Sequence, residues 1–147
     1  MPPSGRSFVI VSWLAMQKIA DTGLLKALLD KSDQHHDWGY QQFLRHAPFH
    51  TCEAVLDELG FLVGDSRLGM KLVARGDVVL EFSLADHVGE VLALLEKYAD
   101  TPMDLADACI VRMSELIDAS KVWTVDKTDF RIYRRHSRQV IPCEFPP

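Results

Sequence analysis

The chain reads as an α/β protein, a parallel sheet with helices on both faces. Three observations predict this. Short β-type runs recur at Met16 to Ala20, Val78 to Phe82 and Val122 to Val125. Amphipathic segments of about 10–15 residues separate the runs. The chain has 147 residues, 48% apolar and 25% charged, which suits one globular domain with a sizeable core.

The elements follow in order. Met16 to Ala20 forms a short buried strand that ends at Asp21, and Gly23 breaks it. Leu24, Leu25, Leu28 and Leu29 repeat at helical spacing. Asp33 through Leu44 is a second helix with Trp38, Phe43 and Leu44 on its apolar side. Ala47 to His50 is a candidate strand. Thr51 is placed to cap the next helix, whose apolar positions are Val55, Leu56, Leu59, Leu62 and Val63. Leu68 to Ala74 is helical and stops at Gly76. Val78 to Phe82 is a strand by β-branching. Ser83 caps a helix to Tyr98, and Thr101-Pro102 opens another through Ile117. Val122 to Val125 is a strand, and Gln139 to Pro142 is a short last one.

Residues 1–15 stand apart as an N-terminal extension to a domain over 16–147. The run from Phe8 to Ala15 is far shorter than the roughly 20 residues a membrane helix needs. A signal peptide fits poorly: Arg6 is the one basic residue, and Trp13 sits where a small residue should precede a cut after Ala15. An added strand or a dimer arm suits the segment better. Cys52, Cys109 and Cys143 form no CxxC pair, which fits free thiols in a reducing cytosol. A net charge of −5 argues against wrapping nucleic acid by bulk electrostatics. It leaves room for local RNA binding through a metal and a few cations.

Four acidic residues end or edge apolar stretches: Asp21, Glu58, Asp107 and Asp126. Asp21 and Asp126 fall at the carboxyl ends of strands, where open α/β sheets bind ligands. Taken alone, Asp21 reads as a helix cap. Glu58 lies at the edge of its helix's apolar stripe, whereas Asp57 points to solvent and Glu53 suits the first turn. Thr101-Pro102-Met103-Asp104 reads as a capping box, which gives Asp104 a structural job and leaves Asp107 without one. Asp129 suits a cap on the turn at Phe130. Thr22 and Thr124 are placed to hydrogen-bond carboxylates or metal-bound water. Gathered carboxylates repel one another and lose hydration, so such a cluster calls for a cation. Oxygen ligands without Cys or His point to magnesium or manganese. Lys127, Arg131, Arg134, Arg135 and Arg138, with His136, read equally as phosphate contacts or as a solvated basic surface. His35-His36 lacks zinc spacing.

The segments Ala20-Asp21-Thr22-Gly23, Ala54-Val55-Leu56-Asp57-Glu58, Asp104-Leu105-Ala106-Asp107-Ala108 and Thr124-Val125-Asp126-Lys127-Thr128-Asp129-Phe130 together resemble the PIN-domain ribonucleases. The resemblance is strongest to the toxin half of VapBC-type toxin–antitoxin modules. It runs from about Met16 onward. It implies a three-layer α/β/α sandwich around a short parallel sheet. It also implies a metal cluster of Asp21, Glu58, Asp107 and Asp126, supported by Thr22, Asp104, Thr124 and Asp129. The implied activity is divalent-metal-dependent endoribonuclease cleavage with Mg2+ or Mn2+, in the cytoplasm. The implied partners are an RNA substrate, an antitoxin protein and a second copy of the chain, with no membrane. Leu24 stands where the family often has Pro, and the family usually lacks a head like residues 1–15. Two other readings remain. One is a PIN-like module that binds RNA or a partner without cutting. The other is an acid-cluster phosphohydrolase, for which Asp21-Thr22-Gly23 lacks the second Asp.

Overall fold

The structure, a computed structural model, describes residues 16–147. The extension over residues 1–15, with its strand or dimer-arm reading, lies outside the described residues. In chain order the elements begin with β1 (Gln17–Ala20), α1 (Thr22–Leu29), α2 (His36–His46), β2 (Phe49–Thr51), α3 (Glu53–Val63) and α4 (Ser66–Ala74). Next come β3 (Val78–Leu80), a 3-10 turn over Leu84–His87, α5 (Val88–Lys97), α6 (Leu105–Leu116) and β4 (Ser120–Trp123). The last are α7 (Lys127–Ile132), β5 (Arg134–Arg135), β6 (Gln139–Val140) and β7 (Cys143–Glu144).

Five strands form one sheet in the order β3-β2-β1-β4-β7, and every pairing is parallel. β1 is central, with Ala20 opposite Trp123 of β4 and Ile19 opposite His50 of β2. The chain runs outward from β1 to β3, then returns to lay β4 on the other side of β1. Right-handed crossovers put the helices of these two excursions on opposite faces. The result is the expected α/β/α sandwich. Ile19, Leu24, Phe49, Val55, Ile110 and Val122 are fully buried between its layers. No described helix is long and apolar enough to cross a membrane. All three cysteines are free.

Several elements differ from the sequence expectation. Thr51 does not cap α3. It closes β2, and its hydroxyl donates to the Ala20 carbonyl at 2.7 Å. Cys52 takes the N-cap position, with no side-chain cap. The second helix starts at His36 because Asp33 holds a turn: its carboxylate accepts from His35 N–H at 2.8 Å and from Lys26 Nζ at 2.7 Å. Leu44 is largely exposed, and Leu62 is nearly half exposed. The helix expected from Ser83 begins as a 3-10 turn, without a hydroxyl cap. Thr101-Pro102 makes a turn, with Met103 N–H donating to the Thr101 carbonyl at 2.7 Å, and α6 opens at Leu105. The last expected strand is two elements. Gln139–Val140 pairs with β5 in a hairpin, while Cys143–Glu144 completes the sheet.

Candidate acidic site

The strand order reverses between β1 and β4, so their carboxyl ends flank a crevice. Asp21 leaves β1 there. Its backbone N–H donates to the Trp123 carbonyl at 3.0 Å, which fixes its height above the sheet. The carboxylate is N-cap to α1, one oxygen accepting from Thr22 N–H at 2.8 Å. The other accepts from the Thr124 hydroxyl at 2.8 Å. Asp21 is only 6% exposed. Gly23 permits this turn to close, because a Cβ there would lie 2.3 Å from Val125 Cγ2.

The other predicted residues join through short links. Thr22 donates its hydroxyl to Glu58 Oε1 at 2.5 Å, so α3 presents Glu58 to the crevice as its position on the stripe implied. Asp57 and Glu53 are exposed, as expected. Asp126 N–H donates to the Thr124 hydroxyl at 3.0 Å. Asp126 then caps α7, its carboxylate accepting from Asp129 N–H at 3.1 Å. The capping role expected of Asp129 therefore belongs to Asp126.

Asp107 corrects another expectation. It has a local job after all, since the capping box of α6 is Asp104 with Asp107 rather than Thr101 with Asp104. Asp104 Oδ1 accepts from Asp107 N–H at 2.8 Å, and Asp107 Oδ2 accepts from Asp104 N–H at 3.3 Å. Asp107 Oδ2 also accepts from the Tyr133 hydroxyl at 3.1 Å. Tyr133 is fully buried and packs edge-on against Tyr98 and Phe130, with centroids 5.2 Å apart in each case. Sequence reasoning missed Tyr133, because its segment was read as a basic tail. The i,i+3 pair Phe130 and Tyr133 was the available signal.

The acids burden one another. Burial pushes the Asp21 carboxyl up to about 6; its hydrogen bonds from Thr124 and Thr22 oppose this, and the charges of Glu58 and Asp126 add to it. Asp107 is pushed up to about 7, first by burial, then by the charges of Asp21 and Asp104. Asp129 is also raised, by burial and by its bond with Asp126. Among the described residues, no three Asp, Glu, His or Cys side chains are arranged to hold one metal ion. The donor chemistry nevertheless suits a hard divalent cation: all oxygen, no thiol or imidazole, and two carboxyls that resist ionisation where they stand.

Two of the basic residues are used structurally. Arg135 is 8% exposed, and its guanidinium donates to the Ser114 carbonyl in the last turn of α6 at 2.9 Å and to the Asp118 carbonyl just after it at 3.2 Å. It cannot serve as a phosphate contact. Arg134 directs one nitrogen to the carbonyls of Arg131, Ile132 and Tyr133. Lys127 and Arg131 remain exposed on α7.

This sheet order, with helices on both faces and acids at the carboxyl ends of β1 and β4, defines a PIN-like fold. No protein-family model matches the chain, and no curated protein matches its sequence. Among solved structures it is similar to VapC20 of Mycobacterium tuberculosis, a sarcin–ricin loop cleaving toxin. The TM-score is 0.62 at 18% identity, over 72% of this chain and 87% of that one. The fold implied by the four acidic motifs is thus the fold found.

Proposed function

We propose that the chain is a divalent-metal-dependent endoribonuclease of the toxin type, with Asp21, Glu58, Asp107 and Asp126 as its catalytic acids. The observation that carries this reading is electrostatic. At the switch point Asp21 feels the charges of Glu58 and Asp126, Asp107 feels that of Asp21, and both Asp21 and Asp107 are held well above the ordinary carboxylate range, which supports the reading. Asp21, Glu58, Asp107 and Asp126 would hold Mg2+ or Mn2+. Such an ion, when bound, activates water and neutralises charge at the scissile phosphate.

The protein's own part is positioning. Thr22 and Thr124 orient Glu58 and Asp21 through their hydroxyls. Tyr133 and the Asp104 N–H fix one oxygen of Asp107. Asp129 supports Asp126 from the first turn of α7. The likeness to a toxin extends the reading to an antitoxin protein as partner, a homodimer and action in the cytoplasm. A second reading, a PIN-like module that binds RNA or a protein without cutting, draws on both Asp21 oxygens being engaged by Thr22 and Thr124.

The test is cleavage of single-stranded and structured RNA by the purified full chain with Mn2+, Mg2+ or EDTA. Metal-dependent internal cuts that vanish in Asp21→Asn are expected. RNA binding without cleavage under every metal condition would replace the nuclease with the binding module.

A further inference from the structure

Resting on the ribonuclease reading, we propose that Lys127 and Arg131, held on the ring of Phe145, form the subsite that grips the backbone of a single RNA strand beside the acidic crevice. The need for such a subsite is electrostatic. Asp21, Glu58, Asp107 and Asp126, with Asp104 and Asp129 close by, repel a polyanion. The whole chain is also acidic, at −5. Cations fixed near the crevice must offset that repulsion.

The candidates narrow by what each cation already does. Arg135 is buried on carbonyls and Arg134 is directed at three more. Lys121 pairs with Glu144 at 2.5 Å. Lys127 and Arg131 differ. Among the described residues neither forms an ion pair or a side-chain hydrogen bond. Both rest instead on one aromatic ring. Lys127 Nζ lies 5.8 Å from the Phe145 centroid, and Arg131 Cζ lies 6.0 Å from it.

That arrangement is suited to binding. A carboxylate partner would neutralise a cation, whereas a ring restrains it and leaves its charge free. Phe145 is itself half-buried against the core, next to β7, so it makes a fixed seat. Lys127 directly follows Asp126, the N-cap of α7, so the helix that carries both cations starts at the crevice. The two cations stand four residues apart on α7 and share a face, with Cβ atoms about 5–6 Å apart at such spacing. So close a pair serves neighbouring phosphates of one strand. Readers of duplex RNA spread their contacts across two minor grooves.

The experiment measures binding of the full chain in EDTA to a labelled, short, mixed-sequence single-stranded RNA, from about 50 to 200 mM salt. Each phosphate contact on a single strand contributes about 0.7 to the slope of log affinity against log salt. Lys127→Ala with Arg131→Ala should therefore flatten that slope by about 1.4. Phe145→Leu should weaken binding several-fold while keeping the slope, and Phe145→Tyr should restore the affinity. A purely structural role for Phe145 would lower the melting temperature and leave the affinity of the folded protein unchanged, which would overturn its part. An unchanged slope in the double variant, while wild type still cuts RNA with Mn2+, would sink the subsite alone. Equal weakening on a duplex of the same sequence would overturn the single-strand assignment. Wild type that binds with the expected slopes but never cuts would keep the subsite and sink the nuclease. Wild type that neither binds nor cuts would sink both.

Discussion

Asp107→Asn should stabilise the metal-free chain at about pH 8, although the residue it replaces closes a capping box. The folded carboxyl holds its proton up to about 7, against 3.8 for a free aspartate. At about 1.4 kcal/mol for each tenfold change in proton affinity, ionising it in place costs the folded state about 4 kcal/mol. The sign follows from proton counts. Between 3.8 and about 7 the folded chain binds more protons at this group than the unfolded chain, so stability falls as pH rises through that window and levels off above it. Asparagine keeps the shape without the charge. Both bonds that Asp107 accepts, from Tyr133 and from Asp104 N–H, end on the same oxygen, which the amide oxygen can replace. Asp107 is only partly buried, so water screens about half of that cost and leaves about 2 kcal/mol, or about 4–8 °C in melting temperature. Thermal melts in EDTA, from about pH 4 to 8, decide it. The variant's advantage should be largest at high pH and shrink toward about pH 4. A variant that melts below wild type at about pH 8, or a difference that ignores pH, would refute the argument.

Further outcomes follow from the same geometry. Manganese at about a hundred times its Kd should stabilise wild type by about 2.7 kcal/mol, with EDTA reversing the gain, and should do little for Asp21→Asn; equal shifts in paired melts would place the ion elsewhere. Gly23→Ala drives a Cβ to 2.3 Å from Val125 Cγ2, so urea unfolding should show a loss of about 1–3 kcal/mol, partly recovered by adding Val125→Ala. Thr51→Val removes the hydroxyl that ties β2 to the end of β1 and should cost about 1–3 kcal/mol by the same measurement. Tyr133→Phe should cost only about 0.5–1.5 kcal/mol but weaken manganese binding, read by calorimetry, because Asp107 loses its side-chain donor.

The proximity of Asp21, Glu58 and Asp126 was legible because they end or edge regular elements, and regular elements announce themselves by periodicity. Asp21 and Asp126 follow apolar strands, and Glu58 edges an apolar stripe. What escaped was decided by contacts between distant segments. Thr101 and Asp104 are both good cap residues with an acid three positions on, and Pro102 tipped the sequence reading toward the first. The structure takes the second, where Tyr133 reaches across to Asp107. Arg135 looked like any surface cation, and only the buried end of α6 shows why it is needed inward. β7 is two residues long and carries no pattern of its own. Its strand character comes entirely from the open edge of β4.

That short strand has a consequence in time. Glu144 accepts the backbone N–H of Thr124 at 3.2 Å, and the Thr124 hydroxyl in turn holds Asp21 and receives Asp126 N–H. β7 is the last of the five sheet strands to leave the ribosome, yet it pins the residue that joins the first acid to the fourth. Until it is made, the edge of β4 is open and the crevice lacks its brace. A chain still being synthesised would thus carry all four acids without the frame that aligns them, until translation has passed Glu144.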